Sequence, residues 1–296
     1  MSKKVCLFGA SGKLGQELQR FIPVDTEVHT IDRSHVDFSQ EGQISALLDF
    51  LKPGVIINAS AYNAVDRAES ERELAYIVNA SAPAAMAKWA ADNAARMIHV
   101  STDYVFDGKR GSSYFPRDPV SPINIYGGSK AEGETQVGLY LKGKGVILRT
   151  SWCYSQFGNN FVKTMLNLMG QGKELNIAGD RVGSPTWFKD FAEVLWGVVE
   201  NPDVAGTYHW TNAGIASWYD FAVSIQEEAL ECGLLTKEVP IHMTSSESYA
   251  APAQRPSCVI LDKTESYKLL GDSPHWRESL KKMLIELKNT QANENP

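Results

Sequence analysis

Gly9-Ala10-Ser11-Gly12-Lys13-Leu14-Gly15 follows directly on the strand-length apolar run Lys4-Val5-Cys6-Leu7-Phe8 and opens a segment whose Leu14, Leu18 and Phe21 share one helical face. The spacing G-x-x-G-x-x-G is weak alone and becomes informative through its place between a strand and a helix. Glycines there let the backbone turn tightly and approach a pyrophosphate, whose charge meets the helix N-terminus. Gly9, Gly12, Lys13, Leu14 and Gly15 are therefore expected to touch a dinucleotide.

The first half keeps the same rhythm. Glu27 to Asp32 reads as a second strand, and Ser39 is expected to cap a helix whose Ile44, Leu47, Leu48 and Leu51 share a face and which Pro53-Gly54 stops. Val55-Ile56-Ile57-Asn58 is apolar throughout, as a buried parallel strand should be. A long alanine-rich helical stretch from about Glu69 to Ala95 leads to strands at Met97–Val100 and Val146–Leu148. The alternation predicts an α/β fold, a Rossmann-type doubly wound parallel sheet with right-handed crossovers. Residues 1–150 read as the dinucleotide-binding domain. Beyond them glycines, prolines and tryptophans become frequent, and 151–296 reads mainly as a smaller substrate-binding region, with the option that some elements return to the main sheet. The polar tail Asn289–Pro296 is expected to fray.

The second strand ends at Asp32-Arg33. A carboxylate there suits the adenosine ribose of NADH, and a guanidinium suits the 2′-phosphate of NADPH, so the residues leave the choice open. Asp37-Phe38 lies where an adenine pocket would form.

The fourth strand runs into Ser101-Thr102-Asp103-Tyr104, and open parallel sheets bind ligands at the carboxyl ends of their strands. Tyr126 and Lys130 are four residues apart, neighbours on one helix face. A nearby ammonium is expected to lower the phenol's pKa, and Tyr126 would give its proton to a carbonyl oxygen while hydride reaches the carbon. Lys130 would also hydrogen-bond the nicotinamide ribose. These residues read as an oxidoreductase moving hydride between a nicotinamide dinucleotide and a carbonyl or hydroxyl carbon.

Composition narrows the rest. A net charge of −6 leaves no basic footprint for nucleic acid. No apolar run approaches the roughly 18 residues of a membrane span, and the run after the basic Met1–Lys4 start is too short for a signal peptide. Cys6, Cys153, Cys232 and Cys258 are far apart and the histidines scattered, which reads as reduced thiols in a cytoplasmic protein without a zinc site.

Together these parts resemble the extended short-chain dehydrogenase/reductase superfamily. The similarity narrows to the dTDP-4-dehydrorhamnose reductase family through residues 55–62, 64–71, 101–108 and 122–130, and through Arg149-Thr150-Ser151-Trp152. Later agreement lies at Gly183-Ser184-Pro185-Thr186, Gly206-Thr207-Tyr208-His209, Ser217-Trp218-Tyr219 and Arg255-Pro256. The resemblance implies NADPH or NADH as cofactor and reduction of the C4 ketone of a dTDP-sugar by a monomer or homodimer. It implies dinucleotide contacts from Gly12, Lys13, Leu14, Asp32, Asp37 and Phe38, with Ala61, Tyr62 and Asn63 lining the cofactor beyond the third strand. Thr102, Tyr126 and Lys130 would serve catalysis, while Thr102, Asp103 and Tyr104 would face the sugar and Trp152 would pack on the sugar or cofactor. Arg255 suits the substrate pyrophosphate, since a planar fork matches phosphate oxygens.

Some positions depart from the family pattern: Asn63 replaces a usual threonine, Asp180-Arg181 an acid and glutamine, and Cys153-Tyr154-Ser155 an aliphatic-Tyr-Gly run. Some members bind Mg2+ through glutamates at a dimer contact, and Glu17 matches one such position. A lone glutamate on an exposed helix face is ordinarily just solvated, so no metal site is assigned and Mg2+ stays open. A sugar-nucleotide dehydratase would usually carry an acid where Tyr104 stands. The alternatives left are a sister reductase of opposite C4 stereochemistry and a non-catalytic subunit resembling the regulatory subunit of methionine adenosyltransferase.

Overall fold

The computed structural model describes residues 3–40, 42–249 and 251–294. Its core is a six-stranded, wholly parallel sheet in the order β2-β1-β3-β4-β5-β10. The strands are β1 Lys3–Phe8, β2 Thr26–Ile31, β3 Val55–Asn58, β4 Arg96–Thr102, β5 Val146–Thr150 and β10 Gly206–His209. Side chains alternate between two buried faces, as a pleated strand covered on both sides requires. Val5, Leu7, Ile57, Ile98 and Leu148 pack under α1 Lys13–Arg20 and α8 Phe188–Glu200, against Leu14, Leu18, Phe191 and Leu195. Cys6, Phe8, Ile56, Met97 and Ile147 pack under α2 Gln43–Leu51, α5 Ala82–Asp92 and α6 Ile125–Leu141. Each such leucine or isoleucine taken fully out of water stabilises the fold by about 1.5–3 kcal/mol.

Phe8 pairs with both Ile31 and Asn58, so β1, β2 and β3 end level with one another. Strand order reverses between β1 and β3, and that crevice is where open α/β sheets bind ligands.

The helical stretch after β3 is more broken than its sequence suggests. α3 Val65–Ala68 is separate, and α4 Arg72–Tyr76 runs through a π-turn, Ile77–Ser81, into α5. Ala82 N–H reaches back five residues to the Ile77 carbonyl, and Pro83, which has no N–H, follows in the first turn of α5. Ser39 does not cap α2: it donates to Asp37, and Gly42 with φ +82° begins the helix.

Beyond residue 150, α8 and β10 lie on the main sheet. The other elements are β6 Cys153–Tyr154, α7 Phe161–Gly170, β7 Leu175–Ala178, β8 Val182–Gly183, β9 Thr186–Trp187, β11 Ala216–Ser217, α9 Trp218–Cys232, β12 Ile241–Thr244, α10 Thr264–Leu270 and α11 Trp276–Glu294. α7, α9 and α11 build a second core around Tyr154, Met165, Trp187, Phe221, Trp276 and Leu284. The tail expected to fray continues as α11 through Glu294; residues 295–296 lie outside the described residues. No helix among the described residues is long and apolar enough to cross a membrane.

Candidate active site

The glycine turn is built by close approach. Gly9 has φ +83°, and a Cβ there would lie 2.6 Å from Ser60 N at the end of β3. A Cβ on Gly15 would lie 2.2 Å from the Gly9 carbonyl oxygen, so α1 seats on the turn only with glycine there. Gly12 begins α1 with no side-chain cap, leaving first-turn N–H groups for an anion. This cradle fits a dinucleotide pyrophosphate. Lys13 flanks it, its Nζ donating to the Asn159 carbonyl at 3.0 Å.

At the end of β2 the Asp32 carboxylate folds back on its own loop, accepting from Ser34 N at 2.9 Å, Ser34 Oγ at 2.6 Å and His35 Nδ1 at 2.8 Å. The Ser34 bonds first, and then His35, pull it down to about 2. Arg33 is exposed and makes no side-chain hydrogen bond or ion pair with the described residues. Asp37 closes a similar turn on Ser39, while Phe38 packs against Phe8 with ring centroids 6.1 Å apart.

After β3, Ala61 is half-buried, and the buried Tyr62 turns its hydroxyl onto Glu71 at 2.5 Å. The Tyr62 backbone is held at both ends by Asn79 in the π-turn, at 2.8 and 3.1 Å, and Asn79 also donates to Ser129 Oγ in α6 at 3.0 Å. Asn79 thus ties the loop after β3 to the helix carrying Tyr126. Sequence reading missed it, because only the widened π-turn aims it at both. α6 lies directly on that turn: a Cβ on Gly133 would meet the Asn79 carbonyl oxygen at 2.1 Å.

Asn124 caps α6, its Oδ1 accepting from Gly127 N at 2.7 Å. Tyr126 lies edge-on to Tyr104, centroids 5.5 Å apart, and its hydroxyl reaches Asn63 Oδ1 at 3.5 Å. Thr102, at the end of β4, faces the Tyr126 phenol, and its Oγ1 donates to Asp103 Oδ1 at 3.1 Å. Burial holds the Tyr126 phenol above its ordinary range, with Thr102 opposing. This corrects the expectation of a phenol lowered by Lys130. The Lys130 ammonium is buried and donates to the Val100 carbonyl at 2.6 Å; burial brings it down to about 8 against the pull of Glu134. A phenol that keeps its proton is what a proton donor to a ketone needs at rest.

A buried polar layer supports Lys130. Asn58 accepts from Ser60 with its Oδ1, which turns its amide nitrogen to His99 Nδ1 at 3.1 Å. Burial, then the Lys130 charge, keep His99 neutral. Glu134 and Arg149 form a buried two-pronged pair at 2.8 and 2.6 Å.

Across the cleft Trp152 has φ +47°, unusual for a bulky residue, and stacks on Trp218 at 3.8 Å and 8°. A Cβ on Gly183 would lie 2.6 Å from the Trp152 ring, so that glycine makes room for the indole. Arg255 is held by Asp66 in a fork of 3.0 and 2.6 Å. Arg181, at a departing position, donates to the Arg255 carbonyl at 2.6 Å, and Asp180 accepts from Ser245 and Ser246. Glu17 is not exposed as expected: it is fully buried, accepting from Ser155 Oγ at 2.7 Å and Arg20 at 2.8 Å. Ser155, a departure from the family pattern, thus holds Glu17 as a strut between α1 and the loop after β6. Among the described residues no cluster of three His, Cys, Asp or Glu could hold a metal, and nothing supports Mg2+.

A glycine cradle at a parallel-sheet switch point, with a Thr/Tyr/Lys set on the adjoining strand end and helix, defines an extended short-chain dehydrogenase/reductase. The chain belongs to the RmlD substrate binding domain family, which matches residues 3–289. It is 39% identical over 287 residues to the dTDP-4-dehydrorhamnose reductase of Aggregatibacter actinomycetemcomitans, covering 94% of this chain and 97% of that one. A crystal structure of dTDP-4-dehydrorhamnose reductase from Bacillus anthracis in complex with NADP superposes with a TM-score of 0.90 at 35% identity, over 97% of this chain and all of that one. The dTDP-glucose 4,6-dehydratase DesIV of Streptomyces venezuelae shares the fold, with TM-score 0.79 and 17% identity, over 98% of each chain.

Proposed function

We propose that this protein reduces the C4 ketone of dTDP-4-dehydro-β-L-rhamnose to dTDP-β-L-rhamnose with NADPH or NADH. The observation that carries the reading is the Thr102–Tyr126 contact above a buried Lys130, beside the glycine cradle. When bound, the dinucleotide supplies the hydride. Gly9, Gly12, Lys13, Leu14 and Gly15 hold its pyrophosphate, and Asp32, Arg33, Asp37 and Phe38 bound its adenosine end. Ala61, Asn63 and the Tyr62 backbone line its path beyond β3, where Tyr126 and Lys130 meet its nicotinamide half. Tyr126 gives its proton to the ketone oxygen, Thr102 fixes the phenol, and the Lys130 charge favours the oxyanion state. The region within 151–296 outside the main sheet contributes the substrate wall, where Trp152 with Trp218 offers a flat apolar face to the sugar beside Asp103 and Tyr104. Arg255 meets the pyrophosphate, exchanging its Asp66 partner for phosphate oxygens. The reductases named above support this reading.

NADPH absorbance should fall when the purified protein meets dTDP-4-keto-L-rhamnose, and no fall with a fully folded sample would overturn the proposal. Cofactor preference follows from the β2 end. Asp32 is already satisfied by Ser34 and His35, whereas Arg33 has its donors free among the described residues. Arg33→Ala should therefore raise KM for NADPH by about tenfold, the worth of a charge-assisted hydrogen bond, and leave NADH nearly unchanged. Equal effects on both cofactors would show that Arg33 does not read the 2′-phosphate.

A further inference from the structure

Asp103 is 4% exposed at the carboxyl end of β4, and among the described residues it joins no ion pair. A carboxylate so placed has neither water nor a cation to stabilise its charge. The titratable groups around it are the Tyr126 phenol of α6, the Tyr104 phenol and the Cys153 thiol of β6. The charges of Arg181 and Arg255 act on Tyr104, neither pairs with Asp103, and Lys130 directs its ammonium at the Val100 carbonyl. Among the described residues Thr102 is the hydrogen-bonding group between Asp103 and the reacting phenol, its Oγ1 3.1 Å from Oδ1.

We infer that Asp103, beyond touching the sugar, is the proton store behind Tyr126, reached through the Thr102 hydroxyl. The inference rests on the reductase reading. Hydride forms the new C–H bond and the carbonyl π pair moves to oxygen, so the ketone is reduced and the dinucleotide oxidised. The oxygen takes the Tyr126 proton, Tyr126 takes the Thr102 proton, and Thr102 takes that of Asp103. One negative charge then rests on Asp103, and solvent reprotonates it after product leaves. Toward an ionised Asp103 the Thr102 hydroxyl donates; once Asp103 is protonated the Thr102 oxygen can accept from it and from Tyr104 N at 3.2 Å, which frees its own proton for Tyr126. The relay matters because burial disfavours a Tyr126 phenolate. Burial also brings the Asp103 carboxyl up to about 7, so its proton is present at neutral pH and still removable.

The tests are the pH profile of kcat and infrared difference spectra. Wild-type kcat in ketone reduction should hold steady in mild acid and fall as pH rises through about 7. Asp103→Asn keeps the shape and a hydrogen-bond donor but has no acidic proton. Its kcat at pH 6 should fall about tenfold or more, its profile should lose that limb, and NADPH binding by fluorescence should stay unchanged. Independently of turnover, a protonated-carboxyl band should bleach between pH 6 and 9 in wild type and be missing from Asp103→Asn. A variant that only raises KM, keeping kcat and the pH limb, would show a plain sugar contact and overturn the relay. So would a wild type without the infrared band. A wild type that fails to oxidise NADPH with the keto sugar would sink the functional reading itself, and the relay with it.

Discussion

Tyr126→Phe is expected to lower kcat by about 10²–10⁴-fold, the usual worth of a positioned proton donor, while affinity for NADPH stays close to wild type. The phenol points to Thr102 and Asn63, whereas Lys130 is anchored separately on the Val100 carbonyl and Ser129 on Asn79. Losing one hydroxyl from the half-buried Tyr126 therefore leaves the helix and cofactor cradle in place. Steady-state rates with fluorescence titration of NADPH separate the two quantities. Near-normal kcat, with a primary isotope effect from deuterated NADPH showing that chemistry limits the rate, would remove Tyr126 from the acid role.

The second large effect is on stability. Glu134→Ala should destabilise the fold by about 3–5 kcal/mol, because removing one partner of a buried pair leaves the other charge uncompensated. The Arg149 side chain is 5% exposed and that of Glu134 7%, so water cannot replace the lost carboxylate. Arg149 would retain the Pro116 carbonyl at 3.2 Å and the face of Phe106 at 5.0 Å, neither of which carries a negative charge. Equilibrium urea unfolding measures the loss, and added NADPH should recover part of it by binding only the folded state. A loss below about 1 kcal/mol would mean that the pair's desolvation already cancels its attraction.

The local turns and helix faces of this chain were readable in its residues, and the long-range partnerships were not. The glycine turn and the Tyr126/Lys130 spacing are encoded within a few positions, and both stand where their patterns placed them. The parallel sheet followed from apolar runs such as Val55–Asn58, buried on both faces. Glu17 was misread because its burial depends on Ser155, 138 residues away. Lys130 was expected to lower the Tyr126 pKa, but helical spacing does not show that a strand carbonyl at Val100 receives the ammonium. The π-turn arises beside Pro83 within otherwise good helical periodicity, which averages over a single widened turn. Arg255 suits a pyrophosphate in sequence, and only folding shows its partner Asp66, 189 positions away.

The central claim is which product leaves the site, and the departures at Cys153 and Arg181 lie beside Tyr126 and Arg255, the residues proposed to meet the substrate. Proton NMR of the isolated product after reduction of dTDP-4-keto-L-rhamnose tests it most directly. Hydride delivery that yields dTDP-β-L-rhamnose gives a large diaxial H3–H4 coupling. A small H3–H4 coupling would identify the 6-deoxy-L-talose epimer and contradict the rhamnose assignment.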